Sequence, residues 1–404
     1  MKSLNKTIFY IIYLGISINA LKTYFEQRDL EFVLVDQIFL WYFRFGFYGY
    51  ILISVAALLS FITYRKQFPG YVSFCYVGLI LLVCLASWND FGDIMKNPSF
   101  LYSSKGIGAF VNIGILFFAA DKEYFPKILK LFYYLCFVFI IAGLVNLRKI
   151  GFGSDRLQYL YAIREFTVYL IWVFPFFLLQ EGDNKYLNKI NLAAFFLIFV
   201  FVLSTGSRSY LIIYALYFII KFKNYFKQKN VIVSLASMSL LLLFGFFVLS
   251  NSGFGKTIEG AFNILSERTV EDSRSNQIIE FISQFNLDYF FSGVGPLKTW
   301  FWSAVGPYAF LDNQFLLIGW WAGVPCAAIY AFFLIKSFFF KTEVIVRDNI
   351  KGTQLIVGLW ILACLGFAIY VSVSTDLYYY FISLIIGLHV CRFSNSAVDD
   401  NEEI

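Results

Sequence analysis

Apolar residues run through this chain in blocks of about 20, the length at which a helix spans a hydrocarbon core. The blocks cover residues 6–22, 44–63, 70–87, 104–120, 128–146, 166–180, 190–205, 209–226, 231–250, 312–335, 353–373 and 376–391. They predict an all-α, polytopic integral membrane protein with about a dozen transmembrane helices in a single transmembrane domain, both termini on one side. Met1 to Leu21 has a basic flank and an apolar core. No small-x-small cleavage site follows, and many apolar blocks do, so the stretch reads as the first transmembrane helix rather than a leader.

One interval breaks this rhythm. Residues 251–309 form a loop much longer than any other, and long loops in compact proteins are functional or disordered. Within it Ile278, Ile279, Ile282 and Phe285 recur at helical spacing, with Ser275, Asn276, Glu280 and Ser283 between them. That pattern predicts a short amphipathic helix, with Asp272 or Ser273 as its cap. Such a helix either lies on the membrane surface or packs over a cavity mouth. The loop continues through Gly293-Val294-Gly295-Pro296, a tight backbone feature, and re-enters lipid near Asp312-Asn313.

Composition strengthens the membrane reading. The chain is 60% hydrophobic, 22% aromatic and only 14% charged, against about 25% charged in soluble domains. A net charge of +6 suits anionic headgroups; no basic block resembles a nucleic-acid-binding arm. The cysteines lie in or beside apolar runs with no CxxC among them and read as small core residues. His389 is the one histidine, which excludes zinc sites built on several.

Charge also predicts orientation. Lys221, Lys223, Lys227 and Lys229 cluster between two strong spans, and the rule that Lys and Arg stay cytoplasmic places them inside. Arg65, Arg347 and Arg392 then fall inside, while Arg28, Arg44, Arg148, Arg156, Arg164, Arg208, Arg268 and Arg274 fall outside. Topology asks for no such outer excess. Guanidinium is planar and matches phosphate with two donors at once. The competing explanation is that these side chains snorkel at helix ends or pair with acids such as Asp155, Glu165 and Glu267.

Three features stand in order in the second half. They are Thr205-Gly206-Ser207-Arg208 between two helices; Arg274 with the amphipathic helix and Gly293-Val294-Gly295-Pro296; and Leu311-Asp312-Asn313-Gln314-Phe315-Leu316 before an apolar helix holding Gly319, Gly323, Val324 and Pro325. Over about residues 195–340 this set resembles the O-antigen ligase/polymerase superfamily, most closely the Wzy-type polymerases of surface polysaccharides. In the ligase branch a histidine commonly precedes the asparagine where the chain re-enters the membrane; Asp312 stands there instead, which favours polymerase.

The resemblance implies an inverting, metal-independent membrane glycosyltransferase of the bacterial inner membrane with its active site facing the periplasm and no cofactor. It would transfer a glycan from undecaprenyl pyrophosphate to the sugar of another lipid-linked repeat unit, with membrane lipid around it and a separate chain-length regulator as partner. Arg208, Arg268 and Arg274 would neutralise the pyrophosphate as the glycosidic bond breaks. Asp312 would take the proton of the attacking hydroxyl, unless it is only the cap of the next helix. Ser207, Asn313, Gly293 and Gly295 would contact substrate, the glycines reading equally as a plain turn. Arg156 and Arg164 are further phosphate candidates. The outer loops carry no DxD-type acid pair; Asp90-Phe91-Gly92-Asp93 comes nearest and reads as an ordinary turn. Two rivals remain: a ligase-type transferase, and a lipid-linked oligosaccharide flippase. Transporters tend to show related halves and charges in mid-helix, whereas here the charges gather in loops.

Overall fold

The computed structural model describes residues 2–26, 35–88, 90–96, 106–150, 156–180, 185–205, 208–228, 273–304, 306–308, 311, 313–340, 352–366 and 376–392. They fold into helices almost throughout. In chain order these are α1 (Lys2–Glu26), α2 (Val35–Tyr64), α3 (Gly70–Trp88), α4 (Phe91–Lys96), α5 (Ile107–Val111) continuing as a 3-10 helix (Asn112–Ala120), and α6 (Phe125–Ile150). Then come α7 (Arg156–Leu179), α8 (Lys185–Ser204), α9 (Arg208–Gln228), α10 (Ser273–Ser283), α11 (Gln314–Ala322), α12 (Val324–Phe338), α13 (Thr353–Cys364) and α14 (Leu377–Val390). A small antiparallel hairpin, β1 (Trp300–Trp302) with β2 (Gly306–Tyr308), follows α10.

Among the described residues, five helices are long and apolar enough to cross a membrane: Lys2–Tyr24, Gly46–Gln67, Gly70–Trp88, Phe125–Leu147 and Tyr186–Leu203. Of the remaining predicted spans, 166–180 lies within the 24-residue α7, 231–250 lies outside the described residues, and the others appear as shorter apolar helices. α3 shows why lipid is the solvent. Val72, Cys75, Leu79 and Val83 are buried on one face, while Phe74, Leu81, Leu85 and Trp88 are exposed on the other, and both faces are apolar. A helix apolar all round belongs in a core or in a membrane. Together these features make the chain an all-α membrane protein.

The chain divides into two compact units, Met1–Lys22 with Leu40–Phe132 and Arg274–Ile404, and Thr23–Phe39 with Tyr133–Ser273. At the centre of the first lie the 3-10 helix and α14, every residue of both buried. They approach backbone to backbone, since a Cβ at Gly387 would overlap the Leu116 carbonyl. Small residues at helix contacts allow this approach, which supplies dispersion where lipid provides no hydrophobic drive. Two hydrogen bonds cross this core: Ser54 Oγ donates to Asn112 Oδ1 at 2.8 Å, and Tyr76 OH donates to the Val111 carbonyl at 3.0 Å. In the second unit, α7 to α9 pack through aromatic rings, with Phe195 stacked on Tyr214 at 4.2 Å and Tyr214 OH donating to the Phe195 carbonyl.

The sequence predicts one continuous span over 312–335; the structure corrects this. The helix ends at Ala322, Gly323 takes φ +88°, and α12 begins with Pro325 in its first turn. α11 then lies back alongside α12. The rings of Phe315 and Tyr330 are 6.0 Å apart, and a Cβ on Gly319 would sit 3.6 Å from that of Ala327. Along one straight helix those pairs would be separated by about 22 and 12 Å. A turn this sharp needs a residue that tolerates positive φ, and Gly323 supplies it. Helix α11 is therefore a limb re-entrant on α12: Leu311 is buried near its start, and the tip is at Gly323.

Candidate functional site

A sharp break leaves helix-terminal carbonyls without partners, a costly state away from water. The glycine turn of the long loop solves this. Val294 N donates to the Trp320 carbonyl at 2.9 Å and Gly295 N to the Trp321 carbonyl at 3.1 Å, capping α11 from outside the helix. Val324 N, at the start of α12, donates to the Phe290 carbonyl at 2.8 Å. Gly293 has φ +68°, and a Cβ there would overlap the Trp321 carbonyl. Gly293 and Gly295 thus do more than turn the chain: they dock it against the end of α11.

Asp90, which reads in the sequence as part of an ordinary turn, completes the arrangement. It lies just past α3, is only 5% exposed, and accepts a hydrogen bond from Leu297 N at 2.9 Å through Oδ2. Lys298 Nζ stands 4.0 Å from its Oδ1, and a Cβ on Gly295 would overlap Oδ2. A buried carboxylate needs such donors. Here they fix residues 295–298 against the end of α3, 207 residues away in sequence.

At the other end of α11, the side chain of Asn313 caps the helix: Oδ1 accepts from Leu316 N at 3.0 Å, with Asn313 at φ −81° and ψ 108°. Its Nδ2 donates to the Leu365 carbonyl, just past α13, at 3.4 Å. The cap is therefore residue 313 and not 312, so the alternative role offered for Asp312 is already filled. Asp312 itself lies outside the described residues, as do Ser207 and Arg268. The structure brings Gly293, Gly295 and Asn313 onto one element but at its opposite ends, about 13 Å apart along the helix.

The arginines are distributed differently. α7 begins with Arg156 and α9 with Arg208, both in the second unit, and Arg274 is the second residue of α10 in the first. All three stand where a chain runs into a helix, a position suited to snorkelling and to anion contact alike. Arg164 has Nε 3.9 Å from Glu165 Oε1 and also interacts with the Tyr210 hydroxyl.

The amphipathic helix forms as α10, but its buried side differs from the isoleucine pattern. Phe281 and Gln277 face inward, Phe281 against Trp300 at 5.3 Å and Trp320 at 5.9 Å. Its polar side clasps the hairpin. Glu280 accepts from the Ser303 hydroxyl at 2.6 Å and from Ser303 N at 2.8 Å, and Gln284 bonds both backbone groups of Phe301. The two Ser303 donors hold the Glu280 carboxyl below the usual glutamate range. Because the folded pKa is depressed, the clasp contributes fully above the unfolded value and is lost as pH falls through the folded one. Exchange of the Ser303 amide, corrected for its intrinsic rate, is expected to accelerate only as pH falls below the ordinary glutamate range. Glu280→Gln should show fast exchange with no acid step; an acid step surviving in that variant would assign it to another group.

The fold defines a class, an all-α membrane protein in which a helix folded back on its neighbour is capped by the turn at residues 293–295. Compared with family models, with curated proteins and with solved structures, the chain matches none.

Proposed function

We propose that the chain is a membrane glycosyltransferase that polymerises lipid-linked oligosaccharide repeat units of a surface polysaccharide. It transfers the undecaprenyl-pyrophosphate-linked glycan onto the sugar of another lipid-linked unit at the periplasmic face of a bacterial inner membrane. One observation carries this reading. Two of the three motifs that suggested it, the glycine turn and the segment around Asn313, belong to one folded device: the outer loop holds the tip, and the limb takes residues 311–314 into the protein. Backbone that is not helical is tolerated at membrane depth where it is buried or lines a cavity, which suits a polar segment meant to meet a lipid-linked substrate.

The orientation that this reading needs is supported by contacts between segments that the charge pattern places on one side. Asp90 meets Leu297 at one end, and at the other Tyr64 meets Asp121 and the Arg392 N–H meets the Gln67 carbonyl.

The test is direct. Purified protein supplied with lipid-linked repeat units should yield a ladder of products; a single transfer to a different acceptor would indicate a ligase, and movement across the bilayer without new bonds a flippase. Arg274→Lys sharpens it. A pyrophosphate diester spreads its charge over several oxygens, so a two-pronged donor should outperform a point charge. Arg274→Lys is expected to lose most polymerisation at unchanged expression, and Arg274→Ala at least as much. An exposed ion pair is worth about 0–1 kcal/mol and would accept lysine, so a full ladder from the lysine variant would remove phosphate recognition from Arg274.

A further inference from the structure

We propose that the outer loop rests on the bilayer: Ile279 and Ile282 of α10, together with Leu287 and Phe291, sit in the headgroup–acyl boundary of the leaflet around the outer end of α3. Three observations lead there. The first is the division of α10 into distinct faces. Its inward side, Phe281 and Gln277, is used against Trp300 and Trp320, and Glu280 and Gln284 are used by the hairpin backbone. Outward stand Ile279, 66% exposed, and Ile282, 55%, on one face by their spacing of three, with the short polar Asn276 and Ser283 beside them. Leu287 at 76% and Phe291 at 75% extend the apolar surface past the helix end.

The second is level. The exposed stripe of α3 runs from Phe74 through Leu81 and Leu85 to Trp88, whose ring stacks on Phe91 at 5.2 Å. Tryptophan at the end of an apolar stripe marks the boundary between hydrocarbon and headgroups. Asp90 stands between those two rings in sequence and binds Leu297, so residues 295–297 are fixed at that boundary. The third is attachment. Phe291 precedes the glycine turn that caps α11, and α10 is fastened to Trp320 of the same helix, so the four apolar side chains ride on the element that Asp90 anchors. A short helix with one apolar face held at headgroup depth is the geometry of an interfacial helix. The contact does not depend on the transferase chemistry and stands or falls separately from it.

The experiment uses the full chain with Cys84→Ser, since Cys84 is exposed and the other five cysteines are buried. Single cysteines replace Ile279, Ile282 or Ala304, carry the environment-sensitive fluorophore NBD, and are reconstituted in vesicles of phosphatidylethanolamine and phosphatidylglycerol. Ala304, exposed in the hairpin turn and off α10, is the control. Emission at 279 and 282 is expected to be blue-shifted and quenched by lipids spin-labelled near the headgroup roughly twofold or more over position 304. Leu287→Cys, beyond the helix, should behave like 279 and gives the same answer if a helix variant fails to assemble. Equal quenching at 304, 279 and 287, or water-like emission at 279 and 287, overturns the proposal. Blue-shifted emission that lipid-borne label does not quench would mean that another protein or a second copy covers the face, and overturns it too.

Discussion

Asp312→Asn is expected to leave the protein folded and inserted while slowing sugar transfer by roughly 10²–10⁴-fold. Two roles compete for Asp312, a general base toward the attacking hydroxyl and a cap for the helix that follows. An amide caps about as well as a carboxylate but cannot take a proton, so this one substitution separates them. The structure sharpens the contrast, because the cap of α11 is the side chain of Asn313, bonded to Leu316 N at 3.0 Å. Asn313→Ala should then weaken the helix start by about 1 kcal/mol, a loss of stability that Asp312→Asn does not share. Product ladders and thermal midpoints for both variants give the comparison. Wild-type transfer rates in Asp312→Asn would end its candidacy as the base.

Gly293→Ala is expected to be the most destabilising single change in the outer loop. The left-handed backbone at φ +68° costs an L-residue about 1–2 kcal/mol. The new methyl would also overlap the Trp321 carbonyl. Relief requires the turn to withdraw, which breaks the bonds from Val294 N and Gly295 N to α11 at about 1 kcal/mol each. The sum is about 3–4 kcal/mol. Gly306→Ala is the matched control: its φ of +92° is also positive, but a Cβ there meets nothing within 4 Å. It should lose about 1–2 kcal/mol only. Thermal midpoints in the same detergent measure both, and equal losses would show that the glycine turn bears no part in holding the re-entrant tip.

Much of the architecture could be read from the chain alone, for physical reasons. Lipid-facing helices need apolar residues on every side, and a chain that is 60% hydrophobic announces that. The reversal at Gly323 was harder to see, because glycine and proline are common in membrane helices and Gly323 and Pro325 did not interrupt the apolar run. What turns the chain there is a cap supplied by residues 294 and 295, and no local pattern reveals a partner in trans. Asp90 was missed for the same reason. Its sequence context is a turn; its burial and its role come from Leu297. In α10 the isoleucines suggested the buried face, yet the ring that packs is Phe281, because Trp300 and Trp320 offer it edge-to-face contacts that an aliphatic chain cannot make. The arginine candidates remain divided between two folded units.

The trans cap on α11 also sets an order of assembly. The N–H groups that satisfy Trp320 and Trp321 precede them in the chain and lie in the outer loop. Until residues 290–295 have folded against them, those carbonyls lack their partners. The limb therefore settles only together with that turn, and a change that loosens the turn is expected to open the limb to proteolysis.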